Sequence, residues 1–218
     1  MASTTKIMTA LAVLEALPLT ATVTVPAEAV GTEGTSAYLK EGEILTVGDL
    51  LHALLLQSAN DAAVSLAIAA DGSVSAFADR MNRMAQALGL SQTHFQNPHG
   101  LDADGHYTTA YDLALLSAYA MRTPALADIV MKKSYTCRTT LALRVFSNHN
   151  KLLRLSPDAV GVKTGFTKKS GRCLVGAAKR DGALLVSVTL NASNDWQDHL
   201  TLWKLGFSLL GLTNEKSP

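Results

Sequence analysis

The chain has 218 residues, 48% of them hydrophobic and 17% charged, which suffices for one packed core and argues against long disordered tracts. The 19 Lys and Arg stand against 18 Asp and Glu, so no net field draws nucleic acid or anionic lipid, and charge-driven recognition must be local. Met1 is followed at once by Ser3, Thr4, Thr5 and Lys6, unlike a signal peptide, and the apolar runs are too short or too broken to span a bilayer.

From Ser3 the apolar positions Ile7, Met8, Leu11 and Leu14, ended by Pro18, predict a largely buried helix that opens on a Ser/Thr cluster. Thr22 to Val25 and Ile44 to Val47 read as short strands in a loop marked by Gly31, Gly34 and Gly42. Helical spacing runs from Thr46 to Leu56 and again from Asp61 to Ala70, ended by Asp71-Gly72, with the polar Gln57-Ser58-Ala59-Asn60 between. Ser75 to Leu88 is an amphipathic helix closed by Gly89. Thr109 to Asp112 opens another helix in the manner of a capping box, continuing to Met121 before Thr123-Pro124. Beyond Pro157 the texture changes to strands at Ala159 to Lys163, Arg172 to Lys179 and Leu184 to Leu190, with Asp181-Gly182 as a hairpin turn, then a last helix from about Trp196 to Leu210. Helices first and an antiparallel sheet late make an α+β protein.

Ser3 and Lys6, three residues apart at a helix start, share one face. A serine needs a base, and a lysine serves if burial or a neighbouring cation depresses its pKa; backbone N–H groups at a helix start favour negative charge on a reacting oxygen. Ser-x-x-Lys alone is weak, since about one is expected by chance in a chain of this length. Ser58-Ala59-Asn60 offers a hydroxyl to pass a proton and a carboxamide to hold an amide, although Ser-x-Asn is more often a helix cap. Lys163-Thr164-Gly165 ends the apolar run Val160-Gly161-Val162, presenting a cation, a hydroxyl and a close-approaching backbone to a carboxylate. It is the sharpest of the three, expected by chance in roughly one such chain in twenty.

In this order the three motifs are those of penicillin-binding proteins and active-site serine β-lactamases. The chain resembles the low-molecular-mass serine D-alanyl-D-alanine carboxypeptidases over nearly its whole length. The further likeness lies in Asn97-Pro98-His99-Gly100-Leu101-Asp102, the run from Gly105 to Ala114, Asn148 to Leu153, and Lys163 to Thr167. The resemblance implies a penicillin-binding-protein-like fold in one domain over 1–218, an antiparallel sheet with flanking helices from about 1–20 and 156–218, a mainly helical region over about 20–155, and the active site between them. It implies that Ser3 attacks the D-Ala-D-Ala carbonyl, Lys6 takes its proton, and Ser58 and Lys163 relay that proton to the leaving D-alanine. Asn60 would hold the substrate amide, Thr164 and Thr167 the terminal carboxylate, and the N–H groups of Ser3 and Phe166, around Gly165, the oxyanion. The partners implied are the peptidoglycan stem peptide and β-lactams, the location is extracytoplasmic at the bacterial envelope, and no cofactor is required. Relatives carry strands before the serine motif and a further domain and membrane anchor after the catalytic one. The expectation is therefore a truncated chain with an open sheet edge, to be covered by a partner segment, by strand exchange or in a homo-oligomer.

Other features have plainer readings. His94, His99 and His106 match no zinc spacing, and Asp102 with Asp104-Gly105 lacks the acidic residue that would close a calcium loop. Cys137 and Cys173 are expected as free buried thiols, Trp196 and Trp203 as core or interface anchors, and Lys168, Lys169 and Arg172 as a solvated loop that could attract an acidic substrate. Between Tyr107 and Lys163 there is no glutamate, which disfavours a class A β-lactamase.

Overall fold

The computed structural model describes residues 1–212. A 3-10 turn over Ala2–Thr5 leads into α1 (Lys6–Ala16), followed by β1 (Thr22–Thr24), β2 (Ile44–Thr46), α2 (Val47–His52) and a π turn over Ala53–Gln57. Then come α3 (Asn60–Asp71), α4 (Val74–Ala87), α5 (Ala110–Ala120), α6 (Pro124–Val130), β3 (Ser134–Arg138), β4 (Leu143–Ser147) and α7 (Leu152–Leu155). The chain continues through β5 (Ala159–Thr167), β6 (Gly171–Arg180), β7 (Ala183–Thr189) and α8 (Asp195–Leu209). The architecture is α+β, as the residue pattern predicts.

The late strands form a three-stranded antiparallel sheet in the order β5-β6-β7. Asp181 and Gly182 both take positive φ, +47° and +84°, the left-handed pair that a tight hairpin requires. Residues 173–178 of β6 are buried throughout, because the two faces of this strand meet two cores. Val175 and Ala177 face the main core with α1 to α6, whereas Leu174 and Ala178 join Leu152, Trp203 and Phe207 under α8. Each fully buried Leu or Phe contributes about 2 kcal/mol of transfer free energy. The first eight residues of α1, Lys6 to Val13, are buried, so this stretch meets protein on every side.

Several sequence expectations shift. The single helix expected from Thr46 to Leu56 is divided: α2 starts with a complete Thr46/Asp49 capping box, then loosens into the π turn before Ser58. At α5 only half of the expected box forms. Thr109 accepts from the Asp112 N–H, but the Asp112 carboxylate turns away to accept from the Gln92 N–H and the Thr93 hydroxyl. Helix α6, with Pro124 in its first turn, and the β3–β4 hairpin were not among the expected elements; each strand of the hairpin buries a single residue, so no apolar alternation marks it. Cys137 and Cys173 are free and buried. Among the described residues no single helix is long and apolar enough to cross a membrane.

Candidate active site

Ser3 lies on the 3-10 turn, one residue pair before α1 begins at Lys6. Lys6 is fully buried, and its Nζ sits 2.9 Å from Ser3 Oγ, 2.7 Å from Asn60 Oδ1 and 2.6 Å from the His99 carbonyl oxygen. Burial, then the charge of Lys163, holds the Lys6 amine well below the usual lysine range, with Asp61 opposing. The two carbonyl oxygens can only accept, so a neutral amine gives them its two hydrogens. Its lone pair is then left for Ser3 Oγ, the one partner of the three able to donate. The surroundings thus disfavour the charge on Lys6 and leave its amine in place to act on the serine hydroxyl.

Ser58 occupies the junction between the π turn and α3, in the left-handed conformation at φ +69°. The Ser58 and Ala59 N–H groups both return to the Ala53 carbonyl, and this wide closure ends the helix and presents Ser58 to the cleft. Asn60 is only 3% exposed. Its Oδ1 accepts from Lys6 and its Nδ2 donates to the Glu33 carbonyl at 2.6 Å, so it stands behind the lysine, orienting it. Next to it, the buried Asp61 carboxylate gathers Ser36 Oγ and the N–H groups of Ala37 and Leu39, which pins the loop that carries Thr35 to the cleft rim.

Strand β5 runs beside the serine turn. A β-carbon on Gly165 would lie 3.0 Å from the Ser3 nitrogen and 3.1 Å from Ala2 Cβ, a close approach that glycine permits. Lys163 is 1% exposed, donates to the Thr164 carbonyl at 2.9 Å, and burial pushes its pKa down to about 7. Thr164, Gly165 and Phe166 line the cleft. Thr167 is not among the residues lining the cleft; its hydroxyl donates to Asp102 Oδ1 at 3.0 Å and accepts from the Ser170 N–H at 2.9 Å.

Ser3, Ser58, Thr164, Gly165 and Phe166 line a cleft of about 300 Å³, the small end of the range for ligand sites, while Lys6, Asn60 and Lys163 are buried behind it. Its far wall contains groups that motif reasoning did not assign. Arg172 lies directly across from Phe166 in the β5–β6 register, gives one Nη2 to both Asp195 oxygens at 2.9 Å and lies over the Trp196 ring at 5.6 Å. The guanidinium is thus held from below with donors to spare. The short turn after the Lys-Thr-Gly strand was the available signal, because hairpin register carries Arg172 back beside Phe166. His149 and Thr35 reach the same cleft through long-range packing that no local pattern announces.

Comparison with known proteins places the chain in a family and a fold. Residues 1–194 match the family model described as D-alanyl-D-alanine carboxypeptidase. The D-alanyl-D-alanine carboxypeptidase DacF of Bacillus subtilis is 32% identical over 94% of this chain and 54% of its own length. DacB2 of Mycobacterium tuberculosis is 35% identical over 95% and 74%, and DacC of Escherichia coli 40% identical over 89% and 51%. The chain therefore spans about half the length of DacF and DacC. The crystal structure of the Streptomyces K15 DD-transpeptidase superposes with a TM-score of 0.88 at 34% identity, covering 95% of this chain and 87% of that one.

Proposed function

The chain belongs to the D-alanyl-D-alanine carboxypeptidase family, and from that premise we propose that it is a serine peptidase removing the terminal D-alanine from peptidoglycan pentapeptide stems through an acyl-enzyme. The observation that carries the reading is the Lys6 amine, buried and 2.9 Å from Ser3 Oγ, with both other partners able only to accept. Ser3 attacks the penultimate carbonyl while Lys6 takes the hydroxyl proton. The N–H groups of Ser3 and Phe166 receive the developing oxyanion. Ser58 and Lys163, whose pKa near 7 suits proton transfer at neutral pH, pass a proton to the departing D-alanine amine. The terminal carboxylate rests on the Thr164 hydroxyl and the Arg172 guanidinium. Water then releases the shortened peptide. A stem peptide of this kind lies outside the cytoplasmic membrane, so the site of action is the cell envelope. A β-lactam, which offers a strained amide and a carboxylate in similar relation, enters the same path and is trapped at the acyl stage.

Incubation with a β-lactam, followed by intact mass over time, tests this. A lasting adduct that maps to Ser3, together with D-alanine release from a pentapeptide, is the expected result, and Ser3→Ala shows neither. Rapid return to unmodified protein would instead mark a β-lactamase. A properly folded chain that forms no adduct and releases no D-alanine removes the proposal.

A further inference from the structure

Three side chains at the start of α1 reach one surface segment, residues 96–106. Lys6 donates to the His99 carbonyl at 2.6 Å, Thr9 Oγ1 donates to the Pro98 carbonyl at 2.6 Å, and Thr5 Oγ1 lies 2.9 Å from His106 Nε2. The two backbones touch at Gly100, with φ +90°, where a β-carbon would lie 2.0 Å from the Ala2 carbonyl oxygen. No side chain fits between them.

The direction of the hydrogen bonds at His106 follows from their partners. Its Nδ1 accepts from the Gln96 N–H at 3.0 Å, so that nitrogen carries no proton and a neutral ring has its hydrogen on Nε2. Nε2–H therefore donates to Thr5 Oγ1, whose own hydrogen goes to the Ala2 carbonyl at 2.9 Å. The relay runs one way, from the Gln96 N–H through the imidazole and the threonine hydroxyl to the Ala2 oxygen. That oxygen belongs to the same planar trans peptide as the Ser3 N–H, so fixing one fixes the other. Ser3 N faces β5, at 3.0 Å from the position of a Gly165 β-carbon.

We propose that His106 is a positioning residue that sets the Ser3 N–H, through Thr5 and the Ala2 carbonyl, as an oxyanion donor. The inference rests on the acyl-enzyme reading above. His106 is not part of the cleft lining, and acts through the peptide unit it orients. A hydrogen bond at the carbonyl end also polarises that peptide and strengthens its N–H as a donor. The ring must stay neutral for this, because an imidazolium would turn an N–H toward the Gln96 N–H. Burial, then the Met1 ammonium and His94, depress its pKa to about 4, with Asp102 opposing and His99 alongside.

The test separates acylation from binding. With the full chain at pH 7 and a chromogenic β-lactam in stopped flow, the acylation rate constant and the dissociation constant of the preceding complex are measured for His106→Leu, His106→Gln, Thr5→Val and Thr5→Ser. Deleting an oxyanion donor outright costs about 100- to 1,000-fold, so misaligning one should slow acylation by about 10- to 100-fold while the dissociation constant stays within about twofold. His106→Gln, which keeps a donor near the Nε2 position, and Thr5→Ser, which keeps the hydroxyl, should recover most of the rate. His106→Leu acylating at the wild-type rate overturns the proposal, as does a folded His106→Gln no faster than His106→Leu. If His106→Leu does not fold, the Thr5→Val and Thr5→Ser pair decides by the same criterion. Wild-type protein that forms no adduct overturns the acyl-enzyme reading itself, a result distinct from these.

Discussion

A lysine ammonium has no lone pair, and Lys6 can serve as a base only because its surroundings make the charge expensive. Burial is the first cause and the nearby cation of Lys163 the second, while Asn60 and His99 occupy the two hydrogens of the neutral form. The sign of a test follows. Lys163→Met removes a like charge, which favours the protonated form of Lys6 and raises its pKa. The acid limb of β-lactam acylation against pH should therefore move to higher pH, in addition to any loss of rate, and acylation kinetics from pH 5 to 9 would show it. An acid limb left in place, or moved down, would mean that the two amines do not feel one another. The same linkage acts on stability. The unfolded chain holds a proton on Lys163 up to about pH 10.4, whereas the folded chain releases it near 7. The unfolded state thus binds more protons above pH 7, and stability should rise from pH 7 toward 9, with a smaller rise in Lys163→Met.

Between elements, the contact that matters most is the approach of β5 to the serine turn. Strand and turn meet without a side chain at Gly165, where an added methyl would sit 3.0 Å from Ser3 N, 3.1 Å from Ala2 Cβ and 3.2 Å from Thr4 N. All three are parts of a tight turn that Thr4 and Thr5 hydroxyls tie to the Met1 and Ala2 carbonyls, so it yields poorly. Gly165→Ala should push strand and turn apart by a few tenths of an ångström. Acylation should fall by about tenfold or more, since small displacements of reacting groups are costly, while the thermal midpoint moves by only a few degrees. Unchanged acylation would show that the turn gives way freely. The π turn is a second case of an element working through geometry. A regular α-helix would have carried Ser58 on around the axis, and the wider closure on Ala53 turns it into the cleft instead.

At the scale of the molecule, the cleft draws walls from both ends of the chain. Ser3 comes from the N-terminal turn, Thr35 and Ser58 from the helical part, and Thr164 to Arg172 from the late sheet. The loop bearing Thr35 is held on one side by Asp61 and on the other by an ion pair between buried Glu43 and Arg144 of β4. Arg144 also donates to the Ala37 and Tyr38 carbonyls, and Thr139 donates to Glu43, so the β3–β4 hairpin clamps the loop. Arg144→Leu strands a fully buried carboxylate; breaking a buried pair from one side should cost roughly 3 kcal/mol. Chemical denaturation of the variant measures this, and a loss under about 1 kcal/mol would place the pair with exposed ones.

The residues of the proposed chemistry were legible because they lie at short spacings. Ser3 and Lys6 share a helical face whatever surrounds them, and Lys163-Thr164-Gly165 names a strand edge by its apolar lead-in. The strands of the late sheet and the hairpin at Asp181-Gly182 were legible for the same local reason. Other features depended on tertiary structure. Asn60 was expected to hold the substrate amide, and only the fold shows that its oxygen also meets Lys6 and its Nδ2 the Glu33 carbonyl. The partner of the Thr167 hydroxyl, Asp102, is 65 residues away in sequence. Arg172 had a local signal in the short turn after the Lys-Thr-Gly strand, whereas the approach of His149 to the cleft and the hydrogen-bonded relay through His106 have none. Sequence records the forces that act along a few residues of chain, namely periodicity, capping and motif spacing. Which distant donor meets which acceptor depends on packing, and a proton can be assigned to one nitrogen or another only after that packing is known.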